Sequence, residues 1–540
     1  MEYNIADLFE SVADTVPDRE ALVYVDHPGT GAERRLTYAE LDAAANRVGH
    51  HLLDSGVRPG EHLGLHLYNG VEYLQTVLGC LKARIVPVNV NYRYVEDELT
   101  YLYRDADLVA LVFDAEFTDR VAAALPGTGG TLRHLVRVGT PEPDAAALPA
   151  VPFADAVARA AAGREFAGRS GDDQFIIYTG GTTGMPKGVM WRQEDLFFAG
   201  LGGGAPTGEP VSKPEEIAER VAAGGSGITF FPTPPLMHGT STLTAFIGFN
   251  FGQRVVLHRK FVPEEVLRTV EREKVTSISL VGDAMLRPLI DALGGPLAGT
   301  DCSSLFSVSS SGAIMSDTVR REFQALVPNV ALLNNFGSSE SGFNGTATPD
   351  SGPERGFRIR VNSRTQVVDP ATRAPVAVGE VGRVAQCGHV PLGYYNDPRK
   401  TADTFFEQDG VRWVLLGDMA TVDADGVVTV LGRGSQCINT GGEKVYPEEV
   451  EQALKSHPAV YDALVAGVPD ATWGNHVAAV VQVRAGAAAP SLADVQGYCR
   501  SRLAGYKIPR QLVIAEAIRR SPSGKADYRW AREVAAADDA

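Results

Sequence analysis

The sequence YTGGTTGMPKG, residues 178–188, places glycines, threonines and one lysine directly after a short hydrophobic run. The run, residues 175–178, has the composition of a buried strand. Glycines allow close backbone approach, the threonines offer hydroxyl donors, and Lys187 adds positive charge, which together are typical of a phosphate-binding loop. It is not a Walker A loop, because Ser or Thr does not follow a Gly-Lys pair at the required spacing. A mobile surface loop is the alternative at this point.

On both sides of this loop, short β-rich runs alternate with helical segments. Before it stand EHLGLHLY, IVPVNVN, LVALVF and LRHLVRVG, and a segment such as VEYLQTVLGCLKA has helical spacing. A second series runs from residue 254 to residue 337. Alternation of this kind predicts parallel sheets, whose ligands bind at the carboxyl ends of the strands. The sequence therefore predicts an α/β fold with the phosphate loop at a ligand-binding edge.

Other segments divide the chain further. Residues 201–227 are rich in Gly and Pro and predict an inserted loop or short helix, and they do not fit a dinucleotide fingerprint because no strand precedes them. The sequence becomes rich in predicted β-strands after about Ile359. A last block beyond Arg433 contains a predicted helix that starts at Pro447 and a predicted hairpin over residues 461–483.

Composition and charge limit the function classes. The formal net charge of −16 argues against a general affinity for nucleic acid or anionic lipid, so an anionic ligand must be met locally. Five scattered cysteines without a CxxC pair favour a reducing compartment over a disulfide or zinc framework. The acidic N-terminus predicts a first helix behind an Asn4 cap rather than a signal peptide, and apolar runs stay short of the roughly 20 residues that span a bilayer. We predict a cytoplasmic protein.

Several motifs follow YTGGTTGMPKG in order: SSSGA (309–313), NNFGSSES (334–341), LLGDMATVDADGVVTVLGR (415–433), GRGSQCINTGGEKVYPEEVE (432–451) and RRSPSGKADY (519–528). This order resembles the AMP-forming acyl-CoA synthetases of the adenylate-forming superfamily, over nearly the whole chain. The resemblance implies a large N-terminal domain, residues 1–433, of parallel α/β subdomains plus a β-barrel-like part. A small mobile α+β lid, residues 434–540, would follow it. ATP, Mg²⁺ and coenzyme A are the implied cofactors.

The resemblance assigns the nucleotide site residue by residue. The residues implied to bind ATP are Thr179, Gly180, Gly181, Thr182, Thr183, Gly184, Lys187, Ser311, Gly312, Ala313, Asn335, Phe336, Gly337, Ser338 and Ser339. Ser339 stands where Thr is more usual and keeps the hydroxyl. Glu340 is the implied catalytic acid and the one Mg²⁺ ligand, because Mg²⁺ tends to keep waters and phosphate oxygens as its other ligands. Taken alone, Glu340 would be interpreted as a helix cap.

The fourth motif allows a test that is independent of the resemblance. If Asp425 and Gly426 form a two-residue hairpin turn, Asp418 and Arg433 stand opposite each other, because each lies seven residues from the turn. An acid would then face a base. By itself this pair predicts a cross-strand salt bridge of small value. The resemblance implies in addition that Asp418 and Arg433 hold the ribose hydroxyls.

Two further residues have implied roles in catalysis. Lys525, which by itself would be interpreted as a solvated loop lysine, matches the family's adenylation lysine. Its charge suits the bridging of a carboxylate and the α-phosphate. His238, in PPLMHGTS, matches the entrance of the acyl site. We favour a gating or positioning role for His238, because a carboxylate nucleophile is already ionised at neutral pH and needs no general base.

The coenzyme A site is implied in the fifth motif. Gly441 and Gly442 suit a narrow passage for the pantetheine arm, and Lys444 could meet a phosphate of coenzyme A. A Gly-Gly turn beside a solvated lysine is the alternative. Ser435 occupies the implied hinge, where many relatives have Asp or Lys, and this departure weakens the assignment.

We therefore predict a two-step acyl-CoA ligase that forms an acyl-adenylate and then transfers the acyl group to coenzyme A. The predicted partner is a small-molecule carboxylic acid: a medium or long fatty acid, or a bulky cyclic, steroid side-chain-like or aryl acid. A stand-alone adenylation enzyme that loads a carrier protein is one alternative, with Asp283 as the possible ammonium-binding acid. An inactive nucleotide-binding homologue is another. A homodimer is left open, and neither nucleic acid nor a membrane span is expected.

Overall fold

The computed structural model describes residues 1–25, 33–180, 185–205, 208–224, 227–348, 357–440, 442–470, 473–521 and 524–538. Its strands in chain order are β1 (Glu20–Val25), β2 (Arg34–Thr37), β3 (His62–His66), β4 (Val86–Asn89), β5 (Leu108–Asp114), β6 (His134–Val138), β7 (Val151–Pro152), β8 (Gln174–Thr179), β9 (Lys187–Arg192), β10 (Thr229–Pro232), β11 (Arg254–His258), β12 (Ser277–Leu280), β13 (Ser307–Ser311), β14 (Ala331–Ser338), β15 (Gly342–Ala347), β16 (Phe357–Val361), β17 (Thr365–Val368), β18 (Gly382–Cys387), β19 (Gly393–Tyr394), β20 (Phe405–Gln408), β21 (Val411–Val422), β22 (Val428–Arg433), β23 (Ile438–Thr440), β24 (Glu443–Val445), β25 (Val460–Asp470), β26 (Gly474–Val483) and β27 (Gln511–Ala515).

The α-helices surround these strands. In chain order they are α1 (Ile5–Thr15), α2 (Tyr38–Asp54), α3 (Val71–Lys82), α4 (Glu96–Asp105), α5 (Thr118–Ala124), α6 (Phe153–Arg159), α7 (Gln193–Gly200), α8 (Glu216–Ala222), α9 (Gly239–Asn250), α10 (Pro263–Glu273), α11 (Gly282–Leu293), α12 (Asp317–Leu326), α13 (Pro398–Thr404), α14 (Pro447–Lys455), α15 (Leu492–Arg500) and α16 (Tyr528–Asp538).

The first sheet carries the phosphate loop. Its strand order is β19-β9-β8-β4-β3-β5-β6-β7. Strands β3 to β8 pair in parallel, and β9 and β19 are antiparallel additions at one edge. The four predicted strands before the loop are β3 to β6, and the predicted helix is α3, so the prediction of a parallel α/β sheet is confirmed. The phosphate loop begins at the carboxyl end of β8.

The second sheet joins a parallel half to an antiparallel half. Strands β10 to β14 pair in parallel, as predicted for the second alternating series. From β15 onward the neighbouring strands are antiparallel and continue the same sheet through β16, β22, β21, β18 and β17. The part of the chain expected to be barrel-like is thus an extension of the second parallel sheet. The predicted fold class, α/β with a β-rich part, is confirmed.

The final block is a smaller unit with its own sheet. Strands β25 and β26 form the predicted hairpin, and β27 pairs in parallel with β26. Helix α14 begins at Pro447, as predicted, and ends at Lys455, three residues before Pro458. Apolar side chains of α14 and α15 cover one face of this sheet, and α16 covers the other. The block therefore has a hydrophobic core of its own.

Two predictions near the N-terminus and in the insertion are also confirmed. The Asn4 side chain accepts hydrogen bonds from the backbone N–H groups of Ala6 and Asp7, which caps α1. The segment 201–227 contains α8 and a short 3₁₀ helix, Gly202–Gly204. Arg220 of α8 donates a hydrogen bond to the Gly204 carbonyl oxygen at 3.1 Å, so the insertion is tied together.

A fully buried lysine ties the first three helices together. Lys82, at the end of α3, has no exposed surface, and its Nζ pairs with Asp42 at 2.6 Å and with Glu10. Arg164 and Arg169 donate further hydrogen bonds to the same two carboxylates. Every charge of this cluster has opposite charges beside it, as a buried charge requires. The cluster, defined as Lys82, Glu10, Asp42, Arg164 and Arg169, is hereafter the helix-packing cluster.

Candidate active site

The phosphate loop closes a hairpin between β8 and β9. Thr179 pairs with Lys187 across these strands, so the two residues stand at the two ends of the loop. Lys187 Nζ lies 3.2 Å from an Asp397 carboxylate oxygen and 5.6 Å from the centre of the Tyr394 ring. Among the described residues, a Cβ added to Gly180 would meet only the Tyr94 hydroxyl, at 3.8 Å, so no described side chain fills the space beside this backbone. The predicted ATP-binding residues Gly181, Thr182, Thr183 and Gly184 lie outside the described residues.

Glu340 stands beside this loop. It occupies the tight turn between β14 and β15, so the alternative that it caps a helix is wrong. The Tyr394 hydroxyl donates a hydrogen bond to Glu340 Oε1 at 3.1 Å. Trp191 of β9 donates its indole N–H to the Ser339 carbonyl oxygen at 3.0 Å. Through these contacts the first sheet fixes the acid of the second sheet next to Lys187.

The turn that carries Glu340 requires glycine at its base. A Cβ added to Gly337 would collide with the carbonyl oxygen of Gly342 across the hairpin. Within the turn, the Ser338 hydroxyl accepts a hydrogen bond from the Glu340 backbone N–H at 3.2 Å. On the neighbouring strand face, the Thr346 hydroxyl donates to Asn335 Oδ1 at 3.0 Å. The half-buried Phe336 lies between these polar residues, at the edge of the apolar core. The predicted motif is therefore one rigid turn.

The predicted pairing of Asp418 with Arg433 is confirmed, although the turn expected to produce it does not form. The loop between β21 and β22 is centred on Asp425 alone, because Val422 pairs with Val428 and Ala420 with Val430. The Asp423 carboxylate accepts the N–H groups of Asp425 and Val427 and so stabilises this loop. The predicted two-residue turn is thus wrong.

A β-bulge restores the predicted pairing. Met419 pairs with Gly432, so Leu431 is an extra residue on β22, and Asp418 then stands opposite Arg433. The Arg433 Nε lies 3.6 Å from Asp418 Oδ1. Burial raises the pKa of Asp418 even though Arg433 acts in the opposite direction. The pair is therefore held in the cleft but at a distance that leaves the carboxylate available to a ligand.

Lys525 reaches the same cleft from the C-terminal block. Its Cε lies 3.4 Å from the position that a Cβ on Gly312 would occupy, so the lysine packs on the turn after β13. Gly312 has a φ of +82°, which only glycine adopts easily, and Ser311 and Ala313 flank it. The sequence-predicted segments that were expected to surround the acyl-adenylate, SSSGA and RRSPSGKADY, thus touch.

The charges around Lys525 come from three separate parts of the chain. Burial within the cleft and the nearby Arg433 lower the pKa of Lys525, while Glu340 and Asp418 act to raise it. The Lys525 side chain nevertheless remains open to solvent, which is consistent with a water-filled cleft. A positively charged group with carboxylates in range but no closed ion pair among the described residues can attract an anionic ligand.

His238 lies at the rim of this arrangement. It immediately precedes α9, and its Nε2 is buried without a hydrogen-bond partner among the described residues. Burial, together with Lys525 and Arg93, lowers the pKa of His238 to about 3. The imidazole is therefore neutral at pH 7 and a weak base. This agrees with a positioning role rather than general-base catalysis.

The predicted coenzyme A residues are not part of this cluster. Gly441 lies outside the described residues, and Gly442 is exposed with a φ of +90°. Lys444 is exposed on β24, opposite Asn439, and is not among the charges that shift the pKa of Lys525. Ser435 lies in a one-turn 3₁₀ helix, Gly434–Gln436, directly after β22. The described residues that are predicted to meet coenzyme A are thus exposed on the C-terminal block.

Sequence reasoning missed a cationic cavity of about 870 Å³ between the N-terminal part and the C-terminal block. It borders Pro235, near His238, and Gly524, next to Lys525. Arg259 and Lys260 lie over the Tyr68 ring, at 4.5 and 4.3 Å from its centre. The cationic residues of the wall are Arg93, Arg120, Arg259, Lys260, Arg287 and Arg520. They are far apart in sequence, so a pattern search along the chain would not group them.

Two features are absent from the residues that the structure describes. No helix there is long and apolar enough to cross a membrane. The described ranges also contain no group of three or more His, Cys, Asp or Glu side chains arranged to hold a metal ion. Glu340 therefore stands as a single carboxylate beside hydroxyl groups, a donor set that suits a cation whose other ligands are water and phosphate.

Comparison with known proteins identifies the family. Residues 9–395 match the AMP-binding enzyme family, and residues 449–525 match the AMP-binding enzyme C-terminal domain. The chain is 45% identical to a medium/long-chain-fatty-acid–CoA/3-oxocholest-4-en-26-oate–CoA ligase of Mycobacterium marinum, with 98% of this chain and 96% of the relative covered. It is 43% identical to a 3-oxocholest-4-en-26-oate–CoA ligase of Rhodococcus rhodochrous, with 99% and 96% covered.

A solved structure shares the fold. The anthranilate CoA ligase AuaEII, crystallised with anthranoyl-AMP, matches with a TM-score of 0.84 at 23% identity, covering 100% of this chain and 98% of that one. The motifs, the cleft built from them and the family matches agree with one another. The chain belongs to the AMP-binding enzyme family, as an AMP-forming acyl-CoA ligase.

Proposed function

We propose that the chain activates a medium- or long-chain fatty acid, or a steroid side-chain carboxylate, for thioester formation with coenzyme A. The names of the two relatives, which match over nearly their whole length, support this substrate class. The observation that carries the mechanism is the meeting of Lys525, Glu340, Asp418 and Arg433 in one cleft. Glu340, Asp418 and Arg433 come from the second sheet and its turns, and Lys525 comes from the C-terminal block.

In the first half-reaction, a carboxylate oxygen attacks the α-phosphorus of ATP, the bond to the β-phosphate oxygen breaks, and pyrophosphate leaves. Lys525 bridges the carboxylate and the α-phosphate and offsets the repulsion between two anions. Asp418 accepts hydrogen bonds from the ribose hydroxyls, and Arg433 holds Asp418 in place. Thr179, Gly180 and Lys187 lie along the phosphates, and Ser311, Gly312, Ala313 and the Asn335–Ser339 segment lie along the adenosine.

Glu340 is the proposed Mg²⁺ ligand. A single carboxylate, already oriented by the Tyr394 hydroxyl and flanked by the Ser338 hydroxyl, fits an ion that keeps water and phosphate oxygens. When bound, Mg²⁺ neutralises phosphate charge. His238 is proposed to position the acyl end of the substrate, because its neutral ring stands at the rim of the cleft.

In the second half-reaction, the thiolate of coenzyme A attacks the acyl carbon, the bond to the AMP oxygen breaks, and AMP leaves. We propose that the block 434–540 rotates about Ser435 relative to residues 1–433 between the two steps. Gly442 and Lys444, which are exposed in this arrangement, would then turn toward the cleft. The cationic cavity offers charges for the phosphates of coenzyme A, which the net charge of −16 would otherwise repel.

The acyl chain is proposed to lie along one face of α9. Gly239, Leu243 and Ile247 are spaced four residues apart and half-buried. Small residues of this helix serve its packing, because Ala245 is fully buried and a Cβ on Gly248 would collide with Val255 of β11. They allow α9 to pack closely rather than widen the pocket.

Location and assembly remain proposals. A cytoplasmic location is supported by the five free thiols and the absence of a membrane-spanning helix from the described residues. The homodimer stays a prediction to be checked by light scattering.

The function is tested by pyrophosphate release with ATP and Mg²⁺ across acetate, octanoate, palmitate, a steroid side-chain acid, benzoate and an amino acid, each with and without coenzyme A. We expect release with the fatty or steroid acids and an acyl-CoA product. Activity with acetate or the amino acid alone would refute the substrate class. Pyrophosphate release without a thioester would favour an enzyme that loads a carrier protein.

A further inference from the structure

Four buried charges connect the N-terminal part of the chain to the loop that carries Lys525. Lys455 Nζ lies 3.5 Å from Asp283 and 3.5 Å from Asp462. Asp462 accepts two hydrogen bonds from Arg520, both at 2.8 Å. The four side chains are between 8% and 13% exposed. We name Asp283, Lys455, Asp462 and Arg520 the ion chain.

One end of the ion chain holds the lysine loop. Arg520 donates a hydrogen bond to the Gly524 carbonyl oxygen at 3.2 Å. Ser521 closes the loop, because its N–H donates to the Lys525 carbonyl oxygen at 2.8 Å and its hydroxyl accepts the Lys525 N–H at 3.1 Å. Gly524 packs so closely on the Val281 carbonyl oxygen that an added Cβ would lie 2.9 Å from it. The backbone of Lys525 is thus fixed on both sides.

The other end is anchored in the wall against which Lys525 packs. Asp283 accepts the backbone N–H of Ser316 at 2.8 Å. Its neighbour Gly282 donates its N–H to the Ser310 hydroxyl at 2.7 Å, and Ser310 donates to the Ala313 carbonyl oxygen at 2.7 Å. The turn at Gly312, which contacts Lys525, is therefore part of the same structure as Asp283.

Lys455 and Asp462 of the ion chain keep their charges at neutral pH. Burial acts to lower the pKa of Lys455, but Asp462 and Asp283 outweigh it and the pKa is raised. Burial acts to raise the pKa of Asp462, but Lys455 and Arg520 outweigh it and the pKa is lowered. Asp283 Oδ1 accepts the Ser316 N–H, and Asp283 Oδ2, which makes no hydrogen bond among the described residues, lies 3.5 Å from Lys455 Nζ.

We propose that the ion chain positions Lys525 for adenylation, with Lys455 and Asp283 acting as positioning residues across the boundary between the two parts of the chain. The proposal rests on the proposed role of Lys525 in the first half-reaction. If the C-terminal block rotates between the two steps, the Lys455–Asp283 contact joins parts that must separate. Its loss should therefore affect acyl-adenylate formation and spare thioester formation from supplied acyl-adenylate.

The test compares Lys455→Met with the parent enzyme in both half-reactions. Acyl-adenylate formation should fall on the order of 100-fold in kcat, because misplacement of a reacting group by about 1 Å has that effect, with the KM for ATP little changed. Thioester formation from supplied acyl-adenylate should stay within about threefold. Lys455→Arg, which keeps the charge, should restore most of the rate. The matched control is Lys213→Met, which removes an exposed ion pair with Glu219 and should change neither half-reaction.

Two further variants separate positioning from misfolding and from failure of the Lys525 assignment. The double variant Asp283→Asn/Lys455→Met removes one charge of each sign and keeps the Asp462–Arg520 pair. Its melting temperature should therefore stay close to that of the parent, while it shows the same selective loss of adenylation. Lys525→Ala serves as the reference for the lysine itself. If Lys525→Ala loses adenylation but the double variant does not, the ion-chain proposal is wrong. If Lys525→Ala keeps adenylation, the assignment on which the proposal rests fails first.

Discussion

Lys82 and Lys525 are both lysines near two carboxylates, but their surroundings differ. Lys82 is fully buried and pairs with Glu10 and Asp42, which also hold arginines. Lys525 is open to a cleft, with Glu340 and Asp418 in range and no ion pair with either among the described residues. The first lysine has all the partners that it needs within the protein.

This difference separates a stabilising charge from a charge arranged for a ligand. The helix-packing cluster joins α1, α2 and α3, so its free energy contributes to the fold. The charges around Lys525 lie on three segments of the chain. The closest pair among them is the Asp418 carboxylate and the Arg433 guanidinium, which are 3.6 Å apart. Charges that are only partly paired at a solvent-accessible site lower the stability of the fold, but they stay able to bind a ligand. Three predictions test this contrast between Lys82 and Lys525.

The largest effect is expected in the helix-packing cluster. Lys82→Met should lower the free energy of unfolding by about 3 kcal/mol, because it leaves two buried carboxylates with fewer partners. Adenylation per folded molecule should stay near that of the parent, since the ion pairs of Lys82 are with Glu10 and Asp42 and not with a cleft residue. Urea unfolding and active-site titration measure the two quantities. If Lys82→Met lost catalysis selectively while its stability stayed unchanged, the contrast between Lys82 and Lys525 would be wrong.

A smaller effect is expected at the ribose pair. Asp418→Ala should raise the KM for ATP about tenfold, which corresponds to about 1.4 kcal/mol, because the hydroxyl acceptor is lost. Stability should change little or rise, since burial already disfavours the charged form of Asp418 and raises its pKa. Asp425→Ala, at the exposed tip of the same hairpin, is the matched control. Unchanged affinity for ATP would argue against ribose binding by Asp418.

The smallest effect is a pH dependence. The pKa of Lys525 is lower than its ordinary value of 10.5, and adenylation needs the charged ammonium. The rate of adenylation should therefore decline as the pH rises through this lowered pKa, severalfold before pH 10.5 is reached. His238, with a pKa of about 3, stays neutral throughout. Lys525→Arg keeps its charge at alkaline pH and should lose this limb of the profile. The same decline in both enzymes would point to another group.

Much of the fold could be predicted because it depends on local patterns. Neighbouring residues determine the alternation of strands and helices, the Asn4 cap and the start of α14 at Pro447. The Asp418–Arg433 pair was predicted from a turn that does not form, and a bulge at Leu431 restored the pairing. A count of residues along the strand cannot predict a single inserted residue, because the insertion depends on how the hairpin packs.

The contacts between distant segments could not be predicted. Tyr394, Trp191 and Asp397 position Glu340 and Lys187, yet each looks like an ordinary residue in its own segment. In the sequence Asp283 is an acid among apolar residues, and we interpreted it as a candidate amine-binding group. Its partner Lys455 lies 172 residues later in a different block, so its use in the ion chain emerges only from the structure.

The most direct test of the central claim is to measure both half-reactions and the unfolding free energy of one variant, Lys525→Ala. We predict that acyl-adenylate formation falls on the order of 1,000-fold, that thioester formation from supplied acyl-adenylate stays within about threefold, and that stability does not fall. Equal loss in the two half-reactions, or a loss of stability like that expected for Lys82→Met, would contradict the account of Lys525 as a charge held for the substrate.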